Sequence, residues 1–133
     1  MLGIGGAGLS AAARILCERG HKISGQDRAR SEFVVGLEAA GVPIEIGASE
    51  AALLPADAQV LVRSAAVGLE DAQVSEGLRR GLPVWKYSEL LGRLTPARRT
   101  LAIAGTHGKT TSSWMSYHAL CGLALAAGKG APA

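Results

Sequence analysis

MLGIGGAGLSAAARILCERGHKISGQD, residues Met1 to Asp27, changes its hydrophobic period twice. Met1–Ile4 is a short apolar run that ends in glycines, as a buried strand does before a tight turn. Ala7–Arg19 then carries apolar residues at helical spacing. Gly20 follows, where a left-handed C-terminal cap belongs. His21–Ser24 returns to a strand-like run, with Asp27 at its far end. Strand, glycine turn, helix, strand is the unit from which parallel sheets are wound.

The alternation continues along the chain. Ser31–Ala40 reads as a helix and Val42–Ile46 as a strand. Gln59–Val62 is a β-rich apolar run, Glu70–Arg80 is helical, and Pro83–Trp85 makes another short strand. Ser88 is placed to N-cap a helix through Leu94. Gly41 and Gly81 repeat the role expected of Gly20. These spacings predict an α/β domain over residues 1–97, a parallel sheet with helices on both faces.

Thr95-Pro96-Ala97-Arg98-Arg99 breaks the pattern with a proline and a basic pair, so a domain boundary is expected near Pro96. Thr100–Ala104 is a fresh apolar strand, a second glycine loop follows, and Lys109–Leu125 reads as a helix. Residues 98–133 are therefore expected to open a second domain. A lone strand, loop and helix cannot bury both faces of a sheet.

Composition fits a folded chain. Of 133 residues 48% are hydrophobic, 19% charged and only 4% aromatic. An aliphatic core is expected, and the shortage of aromatics argues against a base-stacking surface for single-stranded nucleic acid. The net charge of +3 is spread among acids and reads as a solvated surface that helps attract an anionic ligand. Cys17 and Cys121 fit no metal or redox spacing and are expected as buried thiols in a reducing compartment. The apolar run Ala119–Ala127 is too short to span a bilayer, and no signal peptide is visible. A cytoplasmic protein is expected, with no membrane insertion and no nucleic-acid partner.

Gly3-Ile4-Gly5-Gly6-Ala7-Gly8 matches G-x-G-x-x-G between a strand and a helix. Glycines there permit a tight turn and let a diphosphate approach the backbone, while the helix N-terminus offers unpaired N–H groups. Such a loop is the dinucleotide fingerprint of a Rossmann-like fold. Asp27 stands where an acid commonly accepts from ribose hydroxyls, and a cap or turn residue is its structural alternative. Alone, the motif suits NAD, any other diphosphate, or a glycine turn without a ligand.

Gly105-Thr106-His107-Gly108-Lys109-Thr110-Thr111 is a more specific pattern. Backbone N–H groups of such a P-loop wrap β- and γ-phosphates, a lysine neutralises them, and the next hydroxyl ligates Mg²⁺. Those roles fall to Lys109, the candidate catalytic residue, and to Thr110. Ile103 stands where the longer form of this motif has glycine, so the loop is a short variant. Gly128-Lys129-Gly130 reads as compositional noise. His107 is equally suited to touching phosphate and to ordering the loop. His21 and His118 read as structural, and Trp85 and Trp114 as packing residues.

The two loops in this order resemble the start of a Mur ligase. His107 within the second loop and G-I-G-G-x-G at the front resemble the branch of the family that attaches L-alanine. Ser24-Gly25-Gln26-Asp27, Ser64-Ala65-Ala66-Val67, Pro83-Val84-Trp85-Lys86 and Glu89-Leu90-Leu91 resemble further family segments. Ala65 and Tyr87 depart from the commoner serine and arginine, and the family's first strand usually starts a few residues before Met1.

The resemblance implies that Gly5, Gly6, Ala7 and Gly8 meet the diphosphate of UDP-N-acetylmuramate. It places Asp27 and Ser64 on the nucleoside side and Lys86 on an anionic or polar substrate group. Gly105, Thr106, His107, Gly108, Lys109, Thr110 and Thr111 would hold ATP, with Mg²⁺ on Thr110. The implied reaction belongs to peptidoglycan synthesis. It activates the muramoyl carboxylate as an acyl phosphate, which L-alanine attacks. The family's central ATPase domain continues well beyond residue 133, so the chain is expected to be a fragment, inactive alone. Alternatives are a standalone UDP-sugar- or NAD-binding module and the related ligase that recycles a muramoyl tripeptide.

Overall fold

The computed structural model describes residues 1–96 and 99–128. The chain separates into two compact units, Met1–Ala97 and Arg98–Ala133. Ala97 and Arg98 of the expected junction lie outside the described residues, as do Lys129 and Gly130 of the glycine-lysine stretch.

In the first unit, β1 (Gly25–Asp27) pairs in parallel with β2 (Ile44–Ile46), and β3 (Leu61–Arg63) with β4 (Val84–Lys86). Leu2 joins the pairs, with parallel bridges to Gln26 on one side and Arg63 on the other. Its N–H donates to Val62 O at 2.8 Å, and its carbonyl accepts from Ser64 N–H at 2.9 Å. The sheet therefore runs β2, β1, Leu2, β3, β4. The first segment lies at the centre, and the winding reverses direction beside it.

The expected strands are present but displaced. Met1–Ile4 contributes one bridging residue, because Gly3 at φ +73° turns the chain out of an extended path. The run expected at His21–Ser24 starts its ladder later, at Gly25. A Cβ on Gly25 would stand 2.6 Å from Ile4 Cδ1, so the glycine lets Ile4 occupy that spot. Pairing also moves the runs expected at Gln59–Val62 and Pro83–Trp85 onto Leu61–Arg63 and Val84–Lys86.

Helices cover both faces. Leu61 packs with Leu2, Leu54 and Val74 beneath α3 (Ala72–Arg79) and a 3₁₀ turn at Ala51–Leu53. The adjacent Val62 points to the opposite face, as alternation along a strand requires. There it packs with Leu9, Ala12 and Leu90 of α1 (Ala7–Glu18) and α4 (Tyr87–Leu94). Ile4, Ala13 and Val42 meet Leu37 of α2 (Glu32–Ala39) in a neighbouring cluster.

The helix ends follow local chemistry. Ser31 caps α2 by accepting from Val34 N–H, and Asp71 caps α3 by accepting from Gln73 and Val74 N–H. Gly20, Gly41 and Gly81 take the left-handed positions expected of them, with φ of +82°, +84° and +73°. Ser88 does not cap α4. The helix begins at Tyr87, and the Glu89 carboxylate accepts from Lys86 N–H at 2.6 Å, which closes the end two residues earlier.

Glu76 near the end of α3 accepts from the guanidinium groups of Arg79 and Arg80 at 2.6–2.8 Å. These bonds hold its carboxyl pKa down at about 2, from an ordinary 4.5. A depressed folded-state pKa gives stability that is present above pH 4.5 and lost as pH falls through about 2. Glu76→Gln is accordingly expected to flatten part of the acid limb between those values. Urea unfolding of both proteins across the range measures this.

Two packing expectations change. Cys17 and Cys121 are free but half-buried rather than fully enclosed. Cys17 borders the Ile4 cluster near the end of its helix. Trp85 packs against the Leu9 cluster with the Arg93 guanidinium 4.2 Å over its ring, whereas Trp114 is 65% exposed.

The second unit is built on α5 (Lys109–Ala126). Thr100–Ala104 forms no ladder among the described residues of this unit, since a strand needs a paired neighbour to exist as one. Helix α5 buries none of its side chains fully. Trp114, Tyr117 and His118 cluster along one side, with the His118 ring edge-on to both, its centroid 4.6 Å from that of Trp114 and 5.6 Å from that of Tyr117.

Candidate functional site

A cleft of about 330 Å³ opens at the carboxyl ends of β1 and β3, where the winding of the sheet reverses. Ligands of open α/β sheets bind at such a switch point. Gly3, Gly5 and Gly6 form its floor. Gln26, Asp27 and Arg28 line one side, and Ser64, Ala66 and Val67 the other, with Ser49 and Asp71 at the α3 end. Of the residues expected from sequence, Gly5, Gly6, Asp27 and Ser64 thus share one cavity.

Helix α1 starts at Ala7 with Gly6 as N-cap and no side-chain cap. Its first internal bond runs from Ser10 N–H to Gly6 O at 3.0 Å. The N–H groups of Ala7, Gly8 and Leu9 precede that bond, so none has an acceptor within the helix. They supply donors and the positive end of the helix dipole beside the cleft.

Each glycine of the loop has its own reason. A Cβ on Gly8 would stand 2.8–2.9 Å from three atoms of the Tyr87 phenol, so Gly8 lets α1 and α4 approach. A Cβ on Gly5 would stand 2.9 Å from Asp27 Oδ2, Ser31 Oγ and Val34 Cγ2 alike. Gly6 has no such neighbour, its nearest contact being Gly3 O at 3.7 Å.

Asp27 already has partners within the protein. Its Oδ2 accepts from Gly5 N–H at 2.7 Å, and its Oδ1 accepts from Ala29 N–H at 3.3 Å. The carboxylate thus ties the glycine loop to the end of β1, which is the turn role weighed for it from sequence. Ser64 Oγ accepts from Ala66 N–H at 3.1 Å and shapes the opposite wall.

Lys86 ends β4, is exposed, and does not line the cleft.

Sequence reasoning missed several lining residues. Arg28 puts a cation at the lip directly after Asp27. Ser49 donates to Asp71 Oδ1 at 2.7 Å, and Gln26 Nε2 donates to Gly47 O at 2.6 Å. Arg63 is buried at the end of β3, and its guanidinium donates to Val67 O, which braces the Ser64–Val67 turn. An arginine closing an apolar run was the one visible signal for it.

The second loop stands in its own unit. Gly108, the N-cap of α5, is left-handed at φ +77°, a conformation that favours glycine. No side chain caps this helix either, so its first turn at Lys109, Thr110 and Thr111 presents free N–H groups. Lys109 Nζ donates to Gly105 O at 2.6 Å and to Thr106 O at 3.3 Å, which holds the ammonium over the loop. His107, Thr110 and Thr111 are exposed beside it.

The profile of the "Mur ligase family, catalytic domain" matches residues 1–99. The chain belongs to the Mur ligase family. Among its relatives, the UDP-N-acetylmuramate–L-alanine ligase of Rubrobacter xylanophilus is 42% identical over 90% of this chain and 26% of the relative. The ligase of the same name from Mycobacterium tuberculosis is 45% identical over 92% of this chain and 26% of its own length. The crystal structure of the UDP-N-acetylmuramate–alanine ligase of Thermotoga maritima superposes with a TM-score of 0.83 at 26% identity. That match covers 92% of this chain and 28% of the other.

This Mur ligase chain therefore spans about a quarter of the length of the curated relatives it matches. Among the described residues, no helix is long and apolar enough to cross a membrane. No group of three or more His, Cys, Asp and Glu side chains is placed to hold a metal ion among them.

Proposed function

We propose that residues 1–97 form the domain holding the UDP moiety of UDP-N-acetylmuramate, and that residues 98–133 open the ATP-binding domain of the same ligase. The observation that carries the first half is the uncapped start of α1 beside the switch-point cleft, in a chain whose relatives are named for that substrate. Ala7, Gly8 and Leu9 N–H would face the diphosphate, and Arg28 would add charge at the lip. Asp27 Oδ2 accepts from the glycine loop and Oδ1 from Ala29 N–H, so the acid that an NAD site spends on a ribose is here partly committed to bonds within the protein.

The second loop fits a triphosphate in its donor set: free N–H groups, an ammonium, and the hydroxyls of Thr110 and Thr111. Lys109 would exchange its carbonyl partners for phosphate oxygens, and Thr110 is the candidate ligand for Mg²⁺. ATP with its metal, when bound, supplies the phosphoryl group that activates the muramoyl carboxylate. For this chain alone the proposal is binding. Joining L-alanine to UDP-N-acetylmuramate in the cytoplasm is proposed for the full-length ligase.

Calorimetric titration of the chain with UDP-N-acetylmuramate and with NADH tests the first half. UDP-N-acetylmuramate is expected to bind at least about tenfold more tightly, a difference of about 1.4 kcal/mol. Equal or tighter binding of NADH would contradict the proposal.

A further inference from the structure

We propose that Ser31 is a positioning residue for the diphosphate loop, acting through the Gly5 peptide; the inference rests on the UDP reading above. Ser31 Oγ makes two bonds at once. It accepts from Val34 N–H at 3.3 Å, which caps α2, and donates to Gly5 O at 2.9 Å. On the other side of the same residue, Asp27 Oδ2 accepts from Gly5 N–H at 2.7 Å.

The polar groups of Gly5 are thus both turned back into the protein, one by Asp27 and one by Ser31. This leaves the donors beside the cleft to come from the first turn of α1, directly after Gly5. Val34, fully buried, closes the third side of the clamp. The orientation of Gly5 fixes the path into Gly6 and Ala7, and a loop held before the ligand arrives avoids the ordering cost of binding. The hydroxyl of Ser31 is therefore asked to be a donor as well as an acceptor, which a helix cap alone never requires.

Three variants separate those roles. Glycine at an N-cap costs a helix only a few tenths of a kcal/mol but has no hydroxyl to donate. Because it also loses the bond to Gly5 O, Ser31→Gly is expected to melt about 4–8 °C below the parent chain and to bind UDP about tenfold more weakly, as the loss of one hydrogen bond implies. Ser31→Thr restores donor and acceptor and is expected to return UDP affinity to within about threefold of the parent. Ser31→Ala is expected to lose both stability and affinity.

Each is titrated with UDP and with uridine. A positioning role shows as a loss for UDP that uridine does not share. Ser31→Gly binding UDP within about twofold of the parent would overturn the inference while leaving the UDP reading intact. A parent chain that does not bind UDP would overturn both.

Discussion

Leu61→Ala is expected to lower the unfolding free energy of the first unit by about 3 kcal/mol. Leu61 is 1% exposed and packs on Leu2, Leu54 and Val74. Those residues come from the central segment, the 3₁₀ turn and α3, so the cavity left by truncation borders three separately anchored pieces of chain. None of them collapses into it without breaking its own pairing. Leu2 is fixed by backbone bonds on both sides, to Val62 and Ser64 across one edge and through Gln26 across the other. For a domain of about 100 residues, each kcal/mol is worth about 4–8 °C, so the melting temperature should fall by more than about 10 °C. Circular dichroism on heating measures it, and a fall of only about 3 °C would show that the site collapses freely.

Gly5→Ala is expected to abolish UDP binding in practice, weakening it by at least about thirtyfold, or about 2 kcal/mol. The reason is space, since the backbone at Gly5 is not in the left-handed region. The added methyl would stand 2.9 Å from an oxygen of Asp27, the hydroxyl oxygen of Ser31 and a methyl of Val34. Val34 is fully buried and has nowhere to go. Asp27 and Ser31 are the groups that yield, and both then release Gly5. Overpacking of this kind costs about 1–3 kcal/mol, on top of about 1 kcal/mol for each bond lost. Gly6→Ala, whose methyl meets nothing nearer than 3.7 Å, is expected to keep the fold and serves as the stability control. UDP titration of Gly5→Ala at an affinity close to the parent's would show that the loop's geometry does not govern binding.

The order of the elements was legible because it depends on hydrophobic period and on glycine placement. Helices α2, α3 and α5 fall where Ser31–Ala40, Glu70–Arg80 and Lys109–Leu125 place them, within a few residues. Strand limits were not legible in the same way. Hydrophobicity marks what is buried, whereas the ladder depends on which backbone groups meet. Ile23, for example, packs against the core just before β1 without joining the ladder. Ser88 was a plausible cap by residue type, but the Glu89 carboxylate reaching back to Lys86 decided where α4 begins.

The site divides along a similar line. G-x-G-x-x-G announces a turn and a helix start, and both are there. What the spacing could not reveal is which polar group each residue would be spent on. Asp27 reads equally as a ribose ligand and as a turn residue, and only the fold shows that its carboxylate holds Gly5 N–H. Ser31 reads only as the first residue of a helical stretch, and the bond from its hydroxyl to Gly5, far away in sequence, is invisible there. Ser49 and Asp71 reach the cleft only because the sheet winds back past its own first segment. Such convergence depends on tertiary topology and leaves no local mark.

The most direct test of the account is an amide-resolved NMR titration of the chain with UDP. The expected result is that the largest shifts fall on Gly6, Ala7, Gly8 and Leu9, with smaller ones at Arg28 and along Ser64–Val67. Shifts confined to the Gly105–Thr111 loop, or to the 3₁₀ turn and α3 on the far face of the sheet, would contradict the claim that the start of α1 receives the diphosphate.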